Sequence, residues 1–246
     1  MSDAQATNTL EPTAPQVSTA STLTDIFFEP SKAFEALRER PRFLVAGLIV
    51  FLLTCLVTLV LHVRVDMGQV MRDRMERSPN AAQQTEAQKE MGARVAKIVG
   101  AVGVPVAVIA MIAGGAALYL LGGLAFGGTL NYKKALAVWT YSWVPPAVLG
   151  TIIGIAVLLL KNPEEVDPEH MMVTNPGAFM SEGSSAVLVA LLSQFDILRF
   201  YGMFLAALGL RKVGKLSSGG SWAIVLGLWL IGAILRVGSA AIFGGR

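Results

Sequence analysis

Phe43–Val63 reads FLVAGLIVFLLTCLVTLVLHV, a run with no charged side chain, bounded by Arg42 before it and Arg64 after it. A bilayer core about 30 Å thick is crossed by about 20 helical residues rising 1.5 Å each. The run therefore reads as a membrane span. Working outward, stretches of similar length and character follow at about 98–126, 136–160, 186–210 and 222–243. The fold class expected is all-α, a polytopic transmembrane helical bundle of five spans. Composition agrees: 54% of residues are hydrophobic, 15% are charged, and the mean hydropathy is +0.59. A soluble domain carries about a quarter charged residues. Here the charges gather in short stretches between the apolar runs.

The flanks of the first span divide the remainder. Residues 1–22, rich in Ser, Thr, Ala, Pro and Gln, hold too little apolar surface to offset their ordering entropy and read as a disordered tail. They lack the basic start and apolar run of a secretory signal. Residues 23–42 include FFEPSKAFEALRERPR, in which Ser31 is placed to cap a short helix that Pro41 ends. Ala33, Phe34 and Leu37 share one face, the pattern of a helix lying on a membrane surface. Residues 43–246 form the five-span domain. Between spans one and two, Met67, Val70, Met71 and Met75 recur at helical spacing, predicting an amphipathic extension of the first span that stops near Pro79. Asn80 and Gln83 resemble a capping pair for a second arm, giving a helical hairpin outside the bilayer with the methionines as its seam.

Several functions are disfavoured by what the chain holds. The net charge of +3 and pI near 9.1 come from lysines and arginines beside spans, which orient them, so no nucleic-acid partner is expected. Cys55 is the one cysteine, and His62 and His170 are the two histidines, so neither a disulfide nor a usual zinc pattern can be built. His170 with the acids of EEVDPEH makes a poor metal site. No nucleophile elbow, phosphate-binding loop or HExxH occurs, so no enzyme and no cofactor is expected. Lysines and arginines divide evenly between the two sides. The acidic loop from Lys161 to Gly183 and the basic RKVGK at 211–215 then place the N-terminus in the cytoplasm.

Within the spans, Gly123 and Gly127, and again Gly150 and Gly154, show the GxxxG spacing that lets helix backbones approach, within the chain or between copies. Pro105, Pro145 and Pro146 are expected to bend their helices or shift their starts. Trp139, Tyr141 and Trp143 read as an interfacial aromatic belt, with the third crossing starting near Val144. The polar residues Ser193, Asp196 and Arg199 lie on one side of span four, and Arg236 lies in span five. An intramembrane charge costs about 2.5–3.5 kcal/mol or more, so each should have a partner. At 1.5 Å per residue Asp196 and Arg236 sit at depths about 6 Å apart. The expectation is that Asp196 accepts a charge-assisted bond from Arg236, Arg199 or both, as a structural clamp. A substrate or proton path through the same group is the alternative.

Three stretches carry a family resemblance: FFEPSKAFEALRERPRF before span one, LAFGGTLNYKKALAVWTYSWVPPAVLGTI at spans two to three, and SQFDILRFYGMFLAALGLRKV in span four. In this order and spacing, over roughly Ile26 to Phe243, the chain resembles the Yip domain family, named for Ypt-interacting proteins, and its bacterial branch in particular. The resemblance implies a cytoplasmic N-terminus, a compact five-helix bundle and, for the bacterial branch, an inner-membrane location. Eukaryotic relatives bind Rab-type GTPases through a cytosolic region. The tail here lacks their acidic, aromatic stretch, and bacterial members have no settled activity. The functional expectation is a non-catalytic membrane scaffold or adaptor with a lipid bilayer around it and a protein partner, or a second copy of the chain, at its N-terminal region. The alternative is a small transporter, channel or transporter subunit built on Asp196, Arg199 and Arg236.

Overall fold

The structure, a computed structural model, describes residues 18–76, 84–163, 166, 171, 173–181 and 183–243. Among these residues all regular structure is helical. Helices α1 (Thr19–Phe28), α2 (Pro30–Glu39) and α3 (Leu44–Arg64) are followed by α4 (Met67–Glu76), α5 (Glu86–Ile98) and α6 (Val104–Ala125). Then come α7 (Tyr132–Leu160), the short α8 (Ala186–Leu192), α9 (Ile197–Gly214) and α10 (Ser218–Phe243). Helices α3, α6, α7 and α10 are each long and apolar enough to cross a membrane. The pair α8–α9, bent by 45° at its break, is long and apolar enough when taken together to make a fifth. The bundle is thus the polytopic one expected. We call the end carrying α1–α2 the near end and the opposite one the far end.

Helix α7 lies at the centre, packed on α3, α6 and α9. Its buried residues run from Ala135 through Val138, Tyr141 and Val144 to Leu158, and α9 meets them with Leu205, Ala206, Leu210 and Val213. Helix α3 buries little besides Ala46 and Val50 and turns Leu48, Leu52, Leu56 and Leu59 outward, as a lipid-facing helix should. The long α7 stays one helix through Pro145 and Pro146, both buried in it. The expected belt is corrected here. Tyr141 is fully buried, Trp139 stands edge-on to Tyr119 at 5.0 Å, and the ring of Trp143 lies against Gly202. These aromatics fill the bundle interior, because the face they occupy is the one α6 and α9 cover.

The N-terminal region differs from the expectation in three ways. The tail ends earlier than Thr22, since Ser18 caps α1 by accepting from Ser21 N–H; residues 1–17 lie outside the described residues. Helix α2 starts at Pro30 with Glu29 in the cap position, so Ser31 is inside the helix and caps nothing. Its apolar face is spent on the protein. Ala33, Phe34 and Leu37 are at most 1% exposed, and Phe34 sits where Gly209 of α9 leaves room beside Val138. Outside this core, Lys212 donates to Glu35 and holds its carboxyl below the usual carboxylate range.

At the far end, the predicted hairpin forms from α4 and α5, but α4 does not extend α3. Val65 is extended, and Asp66 caps a new helix by accepting from Gly68 and Gln69 N–H at 2.8 and 3.2 Å. Lys97 on the second arm closes on Asp66 at 3.1 Å and, with those two N–H groups, keeps its carboxyl low. The second arm opens on a capping box made by Thr85 and Gln88; Asn80 and Gln83, expected in that role, lie outside the described residues, as does His170. Span two begins after a π-helical turn, Val99–Gly103. Pro105 has no N–H to offer the carbonyl four residues back, and a widened turn is one way the chain absorbs that loss.

Two outcomes test the docking of α2. Phe34→Ala empties a fully buried site and should lower stability by about 3–5 kcal/mol, read as a fall in Tm in detergent. The Glu35 contribution runs with its lowered pKa: it is present above the ordinary carboxylate value and lost as pH falls through the depressed one. Amide exchange in α2 should therefore rise on acidification, weakly and less so in high salt, because the pair is exposed.

Candidate functional site at the break in the fourth crossing

The polar residues singled out in span four lie at the break between α8 and α9. Asp196 is the N-cap of α9: its carboxylate accepts from Leu198 N–H at 2.9 Å and Arg199 N–H at 3.0 Å. Asp is among the strongest N-cap residues, and a carboxylate there also meets the positive end of the helix dipole. The other carboxylate oxygen accepts from the Thr174 hydroxyl, and the Thr174 carbonyl accepts from Ile197 N–H at 3.1 Å. The loop from the far end thus docks into the break. Ser193 lies against Gly177 of that loop, whose backbone approaches so closely that a Cβ would meet the hydroxyl at 2.3 Å.

The expected clamp is corrected by this geometry. Among the described residues no ion pair joins Asp196 to Arg199 or Arg236. The Arg199 guanidinium turns back along the chain and donates to Gln194 Oε1 at 2.7 Å. Arg236 is exposed on α10. Depths counted at 1.5 Å per residue hold for a straight helix, and the fourth crossing is bent by 45° next to Asp196.

Gln194, which sequence reasoning passed over, is the hub. It is 2% exposed, and every polar group on it has a partner. Its side-chain N–H donates to Ala190 O at 2.9 Å, its Oε1 takes Arg199, its backbone N–H reaches Leu191 O, and its carbonyl accepts from Trp229 Nε1 at 3.4 Å. Phe195, Phe200 and Trp229 close over it with ring centroids 5.9 to 6.3 Å apart. The available signal was a glutamine two residues before an N-cap residue inside an apolar run.

The glycine pairs do different work from that expected. Gly123 is packed on Leu130, while Gly127, at φ +73°, lies beyond the end of α6. Gly127 N–H bonds to Leu124 O and Gly128 N–H to Gly123 O at 2.7 Å, the two bonds of a Schellman turn. Gly127 therefore belongs to the helix end, while Gly123 is buried against Leu130. On α7, Gly154 is buried and Gly150 half-buried. Close helix–helix approaches lie at Gly115, against the Trp139 ring, and at Gly209, against Phe34 and Val138.

A helical bundle with apolar crossings and an internally capped break defines a polytopic α-helical membrane protein. Residues 24–245 match the model of the Yip1 domain, and the chain belongs to that family. It is similar to a protein of Bacillus subtilis (strain 168) named Membrane protein YknW, 26% identical over 203 residues that make up 82% of this chain and 83% of that one. No solved structure matches it.

The cap and the clamp predict different mutants. Asn caps a helix about as well as Asp, so Asp196→Asn should leave the Tm nearly unchanged, whereas Asp196→Ala should cost roughly 1–2 kcal/mol. Gln194→Leu, which leaves the Arg199 guanidinium without its acceptor, should cost about 1–3 kcal/mol. Arg236→Gln should be close to neutral. Equal losses from Asp196→Asn and Arg236→Gln would restore the ion-pair clamp.

Proposed function

We propose that the protein is a non-catalytic membrane scaffold or adaptor of the bacterial inner membrane, with its near end in the cytoplasm. The observation that carries this reading is the self-contained state of the polar cluster. The Asp196 carboxylate is bound to Thr174 and two backbone N–H groups, Arg199 to Gln194, and Gln194 to Trp229. A transport site needs polar groups left over for its cargo, and these are spent on holding a bent span together.

The near end supports the same reading. Helices α1 and α2 are fixed to the bundle through Phe34 and Ile26, both fully buried, so they form a rigid surface and not a loose arm. Phe28, at the end of α1, is 81% exposed. A large exposed aromatic on a rigid element suits a protein partner, since little ordering is needed to bind it. The cytoplasmic placement rests on the contrast between the basic stretch 211–215 at this end and the acidic loop from Lys161 to Gly183 at the other, and the bacterial setting on the relative from Bacillus subtilis.

Crosslinking in native membranes tests the proposal. Phe28→Glu should remove a partner crosslinked by the wild type, with membrane insertion and Tm unchanged. An identical set of crosslinks from both forms would refute the adaptor surface. Solute flux in proteoliposomes that disappears with Asp196→Ala would replace it with a transporter.

A further inference from the structure

Two cavities at the far end share one residue, His62. One is a slot of about 290 Å³ between α3 and α6, lined by Cys55, Thr58, Leu59, His62 and Pro105. Apart from the Thr58 hydroxyl, which donates within its own helix to Thr54 O at 2.9 Å, and the histidine ring, its wall is apolar. The other is a cleft of about 530 Å³ directly outside it, whose walls include His62, Arg64, Asp66, Met67 and Lys97. Together they make a polar mouth above an apolar slot in the lipid-facing surface, where Leu59 is 62% exposed.

The local chain explains why the space exists. The π-helical turn and Pro105 shift the start of α6, and Gly100 in that turn lies against the His62 ring, where a Cβ would come within 2.2 Å of Nε2. His62 Nδ1 bonds to Thr58 O at 2.8 Å, which fixes the ring as the partition between slot and cleft. Arg64 spends its Nε on Leu158 O at 3.2 Å, tying the mouth to the end of α7. Asp66 in the mouth is paired with Lys97. Among the described residues that line it, the mouth carries two cations against one carboxylate, a surplus of positive charge at the boundary of an apolar slot.

We propose that this far-end site binds an anionic phospholipid, its headgroup phosphate between Arg64 and Lys97 and one acyl chain in the slot beside Cys55 and Leu59. Charge complementarity selects an anion, and continuity of the mouth with a lipid-facing apolar slot selects a lipid over a soluble phosphate. Each cation near a membrane surface contributes about 1 kcal/mol toward holding an anionic headgroup, or about fivefold in affinity. The site shares no residue with the break in the fourth crossing.

The chain has a single cysteine, and it lines the slot, so labelling of Cys55 reads occupancy directly. The rate of maleimide reaction is measured on the full chain in detergent with added phosphatidylglycerol, phosphatidylcholine or inorganic phosphate. Phosphatidylglycerol should protect Cys55 at concentrations where the other two do not. Lys97→Gln and Arg64→Gln should each raise the phosphatidylglycerol needed for half-protection by about fivefold, while Arg72→Gln on α4, whose guanidinium bonds to Gln69, should not change it. Equal protection by phosphatidylcholine, protection by inorganic phosphate alone, or no protection at all would overturn the assignment. The comparison of the three additives needs no variant, so it stands even if a substitution disturbs the hairpin.

Discussion

The structure depends on one constraint: inside a bilayer there is no water to take up a backbone N–H or C=O left over when a helix stops. Every interruption of a crossing must therefore bring its own partners. The break between α8 and α9 brings several. Gln194 turns back onto Ala190, Asp196 supplies the first turn of α9, and Thr174 reaches in from the loop to take Ile197 N–H. A carboxylate that looks out of place in an apolar run is what permits the run to bend. The same logic governs the near end. There the Schellman turn at Gly127 closes α6, Thr129 N–H takes the last carbonyl of α9 at Gly214, and Asn131 opens α7.

The stretches that carry the family resemblance thus have physical content. FGGTLNYKK is the chemistry of one connection, and SQFDILRF is the chemistry of one bend. Between the helices, where lipid removes the hydrophobic drive to associate, cohesion comes from close fit. Trp139 lies on Gly115, and Phe34 on Gly209. A docked N-terminal hairpin and a bent fourth crossing then give a bundle in which Gln194, Asp196 and Arg199 find their partners within the protein.

Legibility in the sequence followed the range of the interaction. Crossings, the α4–α5 hairpin and the buried face of α2 were readable because each depends on a periodic pattern within one segment. What covers that face was not readable: Ala33, Phe34 and Leu37 would look the same against lipid or against α9. Trp139, Tyr141 and Trp143 read as a belt because aromatics near a span end are common at interfaces, and only the packing of α6 and α9 around α7 places them inside. Gly123 and Gly127 have the spacing of a packing motif, but a positive φ at Gly127 belongs to the end of a helix.

The amino-acid sequence by itself determined that this chain is a polytopic helical membrane protein and where its crossings fall, because transfer of a segment into lipid is a sum over that segment's own residues. The tertiary structure decided how the polar minority is satisfied: Asp196 on backbone N–H groups and Thr174, Arg199 on Gln194, Arg236 at the surface. Those outcomes turn on a 45° bend and on which loop reaches it, and both are set by neighbours distant in the chain.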